Sequence, residues 1–207
     1  MRVTKYTHSC IRIDGLVVDP GVFTEPEALT GADAVLITHE HPDHLDVDAL
    51  IAARSMNPLI RVYVHPDVAP KLAALGDAVT VVEPGETFAA AGLDVQAYGG
   101  QHAVIHPDLP GIANLAYRIS DATMSVYHPG DSFEVPDAPV DVLFAPVAAP
   151  WLKISESIDF VRAVKPGRVF ALHDHFVTEA GAKLGDTHLT NLSGAAYRRL
   201  TPGTGID

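Results

Sequence analysis

Three histidines and two carboxylates fall within the six residues from His39 to His44, in the run Thr38-His39-Glu40-His41-Pro42-Asp43-His44. Imidazole nitrogens and carboxylate oxygens are the donors that zinc and similar divalent ions accept. The run directly follows the apolar stretch Ala34-Val35-Leu36-Ile37. The donors therefore sit in a loop just past a predicted buried strand, where several side chains can be aimed at one point. A metal site, and metal-assisted chemistry at it, is the leading expectation. Further donors recur near the ends of later apolar runs: His102 and His106 after Gly99-Gly100, Asp131 in Gly130-Asp131-Ser132, and His173 and His175 after residues 169–172. His102 and His106 compete for one role, as do His173 and His175, which share strand parity.

The elements that must position these donors are read from periodicity. Short strands are predicted over residues 2–6, 10–13 and 16–19, the last two joined by an Asp14-Gly15 turn. Further strands are predicted over 34–38, 60–64, 79–83, 87–90, 93–98, 115–120, 124–127, 140–145 and 169–172. A helix is expected over 46–54, with Leu45, Ala49, Leu50 and Ala53 at helical spacing. A second covers 66–75 and ends at Gly76. A third covers 155–164, with Ser155 as N-cap and Ile154, Ile158 and Val161 on one face. The stretch 178–200 reads as partly helical. This order suggests an α/β fold with two sheets, each covered by helices on one side. One domain spanning 1–207 is expected, in two pseudo-equivalent halves that meet near residues 99–100.

Composition narrows the function classes. The 207 residues are 47% hydrophobic, enough for a sizeable core. No apolar run approaches the roughly 18 to 20 residues of a membrane span. The opening Met1-Arg2-Val3-Thr4-Lys5-Tyr6-Thr7 alternates like a strand and lacks a signal-peptide core, so a cytoplasmic protein is expected. The single cysteine, Cys10, excludes an internal disulfide and reads as a buried small residue, not a nucleophile. A net charge of -12 disfavours nucleic acid and anionic membranes as partners. Bound divalent cations would reverse that locally, so a small-molecule substrate, even an anionic one, stays allowed. Oligomeric state is left open, a homo-oligomer included. No glycine-rich phosphate loop and no GxSxG elbow is present.

The order His39-x-His41-x-Asp43-His44, then Gly99-Gly100-Gln101-His102, Gly130-Asp131-Ser132 and Leu172-His173-Asp174 resembles the pattern of the metallo-β-lactamase superfamily. The resemblance covers essentially the whole chain. The length and the opening Thr7-His8-Ser9-Cys10 look most like its small hydrolases related to ascorbate-6-phosphate lactonase. The resemblance implies a four-layer αβ/βα sandwich with two divalent metal ions between the sheets. His39, His41 and His102 would hold the first, Asp43, His44 and His173 the second, and Asp131 would bridge them. Zinc is the default, with manganese or iron as alternatives. Asp43 and Asp131 would serve catalysis as well as ligation. Two metals about 3.5 to 4 Å apart can share a water and lower its pKa to roughly 7, supplying hydroxide for hydrolysis of an ester, lactone, amide or phosphodiester. A nuclease-type phosphodiesterase and a non-catalytic metal-binding module are the competing readings.

The remaining polar residues receive narrower expectations. His8 is a candidate for a substrate contact or proton shuttle, or simply for packing. His106, if not a ligand, could do the same or lie at the surface before Pro107. Asp174 could orient a ligand or cap a turn. Glu40 and Asp46 are expected in loop geometry and capping. Trp151 reads as an ordinary packing or interface aromatic in preference to a pocket wall. His65, His128 and His188 are expected to be non-catalytic.

Overall fold

A computed structural model describes residues 1–206. Alternating or wholly apolar runs build strands β1 (Val3–Lys5), β2 (Ile11–Ile13), β3 (Leu16–Val18), β4 (Ala34–Leu36), β5 (Arg61–Val64) and β6 (Val79–Val81). They continue through β7 (Thr87–Ala90), β8 (Leu93–Gly99), β9 (Leu115–Ser120), β10 (Ser125–His128), β11 (Val142–Pro146), β12 (Arg168–Leu172), β13 (Ala196–Arg198) and β14 (Thr204–Ile206). Helices α1 (Val47–Met56), α2 (Ile154–Val164) and α3 (Glu179–Leu192) are interspersed.

Two sheets result, in the orders β14-β1-β2-β3-β4-β5-β6 and β13-β12-β11-β10-β9-β8-β7. They follow one plan. In the first, antiparallel β1, β2 and β3 lead into parallel β3, β4, β5 and β6. In the second, antiparallel β7 to β10 lead into parallel β10 to β13. The chain passes between sheets at residues 82–86, ahead of the expected Gly99-Gly100, because β7 already pairs with β8, and β8 with β9. β14, which lacks a strong apolar run, returns to pair with β1.

The period of two in each strand sorts side chains between layers. Val18, Leu36, Phe144 and Phe170 face the space between the sheets. Their neighbours Val17 and Val35 pack outward with Leu50 of α1. Leu143 and Val169 pack outward with Phe160 and Val161 of α2. This gives the four-layer αβ/βα sandwich. Among the described residues no helix is long and apolar enough to cross a membrane.

Helix boundaries depart from the sequence pattern in two places. α2 begins at Ile154, so Ser155 lies inside its first turn, and Lys153 stands at the cap position. The Glu156 carboxylate accepts the Lys153 backbone N–H at 2.8 Å, half of a capping box, and so fixes the start one residue earlier. The helix expected over 66–75 is instead a broken 3-10 segment, Ala69–Ala78, non-helical at Leu72 and Gly76. Pro70 has no N–H to donate, which works against a regular α-helix there. Asp46 caps α1 as expected, accepting the Ala49 N–H at 3.0 Å.

Candidate metal centre

Loops at the C-terminal ends of β1, β3 and β4 in the first sheet meet loops after β8, β10 and β12 in the second. Two groups of donors come together there. His39, His41, His102 and Asp131 have ligand atoms within 4.8 Å of one another, and so do His8, Asp43, His44 and His173. Asp131 touches both groups. Its Oδ2 lies 3.3 Å from His102 Nε2 and 3.3 Å from His173 Nε2, and its Oδ1 lies 3.1 Å from His44 Nε2. Asp43 Oδ2 lies 3.2 Å from His173 Nε2 and 3.0 Å from His8 Nε2. His39 Nε2 and His41 Nδ1 are 3.0 Å apart.

A network behind the rings sets their tautomers. Asp19 Oδ2 accepts from His44 Nδ1 at 2.7 Å and from Thr38 Oγ1 at 2.6 Å, while Oδ1 accepts the Thr38 N–H at 2.8 Å. With its proton given to Asp19, the Thr38 hydroxyl accepts from His39 Nδ1 at 3.0 Å. His102 Nδ1 donates to the Ala103 carbonyl and His173 Nδ1 to the Ala148 carbonyl, each at 2.5 Å. Each of these Nδ1 atoms carries its proton outward, so the Nε2 atom faces the centre and offers its lone pair there once it holds no proton. That is the usual arrangement for metal-binding histidines. Four buried atoms, His44 Nε2, His102 Nε2, His173 Nε2 and Asp131 Oδ1, have no hydrogen-bond partner. Burying such groups unpartnered is costly. A nitrogen- and carboxylate-rich set of this kind suits a divalent cation, so the residues fit the metals that the sequence pattern implies.

The loops are held by close backbone contact. A Cβ at Gly130, where φ is +60°, would lie 2.3 Å from Asn114 Oδ1 and 2.7 Å from Thr38 Cβ. Only glycine lets Asn114 Oδ1 accept the Asp131 N–H at 3.0 Å in this space. A Cβ at Gly21 would lie 2.1 Å from the Asp43 backbone carbonyl. Gly21→Ala is accordingly expected to push the histidine loop outward and to cost about 1–3 kcal/mol of stability. An unchanged thermal midpoint together with unchanged metal affinity would contradict that packing.

The electrostatics favour added positive charge. Burial works to raise Asp43 and Asp131, yet histidine contacts outweigh it and hold both well below the usual carboxylate range. For Asp43 the leading ones are His173 and His8, whose Nε2 atoms lie 3.2 and 3.0 Å from its Oδ2. For Asp131 the His44 charge leads. Burial, reinforced by neighbouring histidines, keeps His39 neutral, with its pKa well below the ordinary value. Burial also works to lower His44 and His173. Asp131 and Asp19 instead raise His44 to about 10, and Asp131 and Asp43 raise His173 to about 9. Protons on these rings balance carboxylates that divalent cations would otherwise neutralise.

The structure separates the rival histidines. His102 is 8% exposed and inside the first group, whereas His106 sits on the exposed part of loop 100–114. The His106 Nδ1 accepts the Asp108 N–H at 3.1 Å, and its ring is exposed just before Pro107. His173 is inside the second group at φ +57°, while exposed His175 packs its ring against Phe23 at 4.5 Å. His8 is buried against Asp43. Its Nδ1 accepts the His175 N–H at 3.3 Å, which leaves the Nε2 proton to bond Asp43.

Several residues do other work than expected. Trp151 is not ordinary packing: its Nε1–H donates to Asp131 Oδ2 at 3.0 Å. Asp174 neither orients a ring nor caps a turn. It pairs with Arg199 at 2.9 Å and lies 3.6 Å from buried Lys5, whose ammonium donates to the His8 carbonyl at 2.7 Å. Glu40 pairs with Lys71 at 3.1 Å. His128 braces the loops, with Nε2 bonded to the Ser9 carbonyl at 2.8 Å. Cys10 is fully buried and its thiol pKa is pushed up by that burial. Sequence reasoning missed Asp19, Thr38, Lys5 and Asn114. Asp19 left one signal, an acid between a wholly apolar strand and Pro20-Gly21.

A family model described as the beta-lactamase superfamily domain matches residues 2–173. The chain belongs to the metallo-β-lactamase superfamily. Protein Rv0786c of Mycobacterium tuberculosis is 40% identical over all of this chain and 94% of its own length. The UPF0173 metal-dependent hydrolase TK0141 of Thermococcus kodakarensis is 25% identical over 80% of this chain and 81% of its own. Among solved structures, the metallo-beta-lactamase fold protein YhfI from Bacillus subtilis superposes with a TM-score of 0.77 at 16% identity. The match covers 99% of this chain and 98% of that one. The superfamily's fold is thus the fold described above.

Proposed function

We propose that this protein is a hydrolase of small molecules that works with two divalent metal ions, the whole chain acting as one domain. One observation carries the reading: two four-residue donor groups meet at Asp131, which touches members of both. His39, His41 and His102 would hold one metal, Asp43, His44 and His173 the other, and Asp131 would stand between them. Relatives described as metal-dependent hydrolases support the same activity. Nitrogen-rich donors make zinc the first candidate, ahead of manganese and iron.

Metals at this position supply Lewis acidity and an activated water at neutral pH. The protein's own groups prepare for that. Asp43 and Asp131 stay ionised, as their depressed pKa values require. Asp19 and Thr38 fix the direction of two rings from behind. His8 and Trp151 each donate to one carboxylate oxygen, which limits the orientations Asp43 and Asp131 can take.

Metal removal and reloading test this reading. Elemental analysis is expected to find close to two equivalents, and chelation to abolish hydrolysis of esters and lactones until metal is restored. Stoichiometric metal without turnover across esters, lactones, amides and phosphodiesters would favour a binding module instead. The pH dependence has a definite sign. His44 and His173 hold protons up to about 10 and about 9 in the metal-free protein, while only neutral imidazole ligates. Loading must therefore release protons, and apparent affinity should rise with pH by roughly tenfold per unit for each proton lost. Calorimetry in buffers of different ionisation enthalpy measures that release. Metal uptake without it would remove His44 and His173 from the ligand set.

A further inference from the structure

We infer that the substrate is a neutral carboxylic acid derivative, an ester, thioester or lactone, whose apolar or aromatic group packs between two aromatic walls beside the metal centre. The inference rests on the hydrolase reading and narrows its substrate. One wall is Phe176 with Phe23. Phe176 is 55% exposed, yet its ring centroid lies 5.7 Å from His173, 4.7 Å from His8 and 5.5 Å from Phe23. Trp151 with Phe133 forms the other. The Trp151 ring lies 6.0 Å from His102, 6.4 Å from His173 and 5.3 Å from Phe133. His173 thus has two aromatic rings close to it, Phe176 at 5.7 Å and Trp151 at 6.4 Å. Val22, beside Phe23, is 51% exposed, and Val104, two residues past His102, is 72% exposed. Partly exposed aromatic rings beside a polar centre offer area on which an apolar group can pack.

Charge points the same way. Loops 20–25, 100–113, 147–152 and 174–178 contain no lysine or arginine. Cations near them are already engaged. Lys5 bonds the His8 carbonyl, Arg199 pairs with Asp174 and Asp186 at 2.9 Å each, and Lys71 pairs with Glu40. Lys153 follows Trp151 but stands at the start of α2. Phosphate esters are commonly held by such side chains or by helix N-termini, and the first turns of α2 and α3, which follow two of these loops, carry the acids Glu156 and Glu179. These loops offer no guanidinium or ammonium of their own for one, whereas they offer aromatic area for an acyl or aryl group.

Trp151 is the only tryptophan in the chain, so its emission reports on one wall directly. In the metal-free full-length protein, hexanamide is expected to shift that emission saturably, and acetamide and glycerol phosphate to leave it unchanged. In the metal-loaded protein, kcat/KM for para-nitrophenyl hexanoate should exceed that for the acetate by at least roughly tenfold. Bis-para-nitrophenyl phosphate should be the poorer substrate. Phe176→Ala, at an exposed position, should erase most of the chain-length preference through KM while leaving the thermal midpoint in place. Equal turnover of hexanoate and acetate, or an emission response to glycerol phosphate and not to hexanamide, would overturn the inference. The two readings fail differently. Saturable hexanamide binding lost in Phe176→Ala, with no turnover of any ester, sinks the hydrolase and keeps the apolar site. Phosphodiester turnover with no hexanamide response does the reverse.

Discussion

Asp131→Asn is expected to lower kcat/KM by at least about 10²- to 10³-fold and to deplete bound metal in parallel. The substitution keeps volume and shape. It also keeps the backbone N–H that Asn114 accepts at 3.0 Å, so the loop after β10 should hold its course. What it removes is the charge between the two donor groups. One carboxylate oxygen becomes an amide NH₂, a group with no lone pair to offer a cation. That oxygen is either Oδ1, 3.1 Å from His44 Nε2, or Oδ2, 3.3 Å from both His102 and His173. Loss of Oδ1 takes an acceptor from the second group, and loss of Oδ2 takes one from both. His44 should also titrate lower, since the Asp131 carboxylate is the leading influence that raises it against burial. Elemental analysis beside steady-state kinetics on the reloaded protein tests the point. Full metal with turnover within a few-fold of the parent would show that Asp131 does not join two metals.

The second large effect is expected at a residue that sits behind the ligands. Asp19→Asn should weaken metal binding roughly 10- to 100-fold and cost about 1–3 kcal/mol of folding stability. Asp19 is fully buried and receives three hydrogen bonds, from the Thr38 N–H, the Thr38 hydroxyl and His44 Nδ1. Its φ of +49° is one that asparagine also tolerates, so the backbone should not be the cause of any loss. If Oδ1 stays an acceptor for the Thr38 N–H, the new NH₂ faces two donors. One of them must turn away or lose its proton. His44 then loses the bond that points its Nε2 inward, and His39 loses its orientation through Thr38. Competition titration with a chromophoric chelator gives the affinity, and thermal unfolding gives the stability. Parent-like affinity would mean that the rings are aimed by packing alone.

Much of the site was legible in the chain because its donors follow apolar runs, and such runs become strands that end where the fold needs a loop. His39, His41, Asp43, His44, His102, Asp131 and His173 all come together, each just past a strand. The order of strand and helix patterns was enough to anticipate two sheets with helices outside, while packing decided which of Val17 and Val18, or of Val169 and Phe170, faces the opposite sheet. Strand β14 was not legible, since Thr204–Ile206 contains a glycine and is held mainly by pairing with β1. The 3-10 segment at Ala69–Ala78 was misread as a helix because its apolar spacing is helical while Pro70 withholds a backbone donor.

By itself the sequence determined the donor chemistry and the layered fold, because residue type and local periodicity are properties of short stretches of chain. Tertiary structure alone decided which of two equally spaced histidines turns inward. His106 and His175 have the same chemistry as His102 and His173 but lie on the solvent side of their loops. It also decided that Trp151 bonds Asp131 and that Asp19, Thr38 and Lys5 stand behind the rings. Those pairings join residues far apart in the chain, and their energies depend on burial and direction, which exist only once the two sheets have closed on each other.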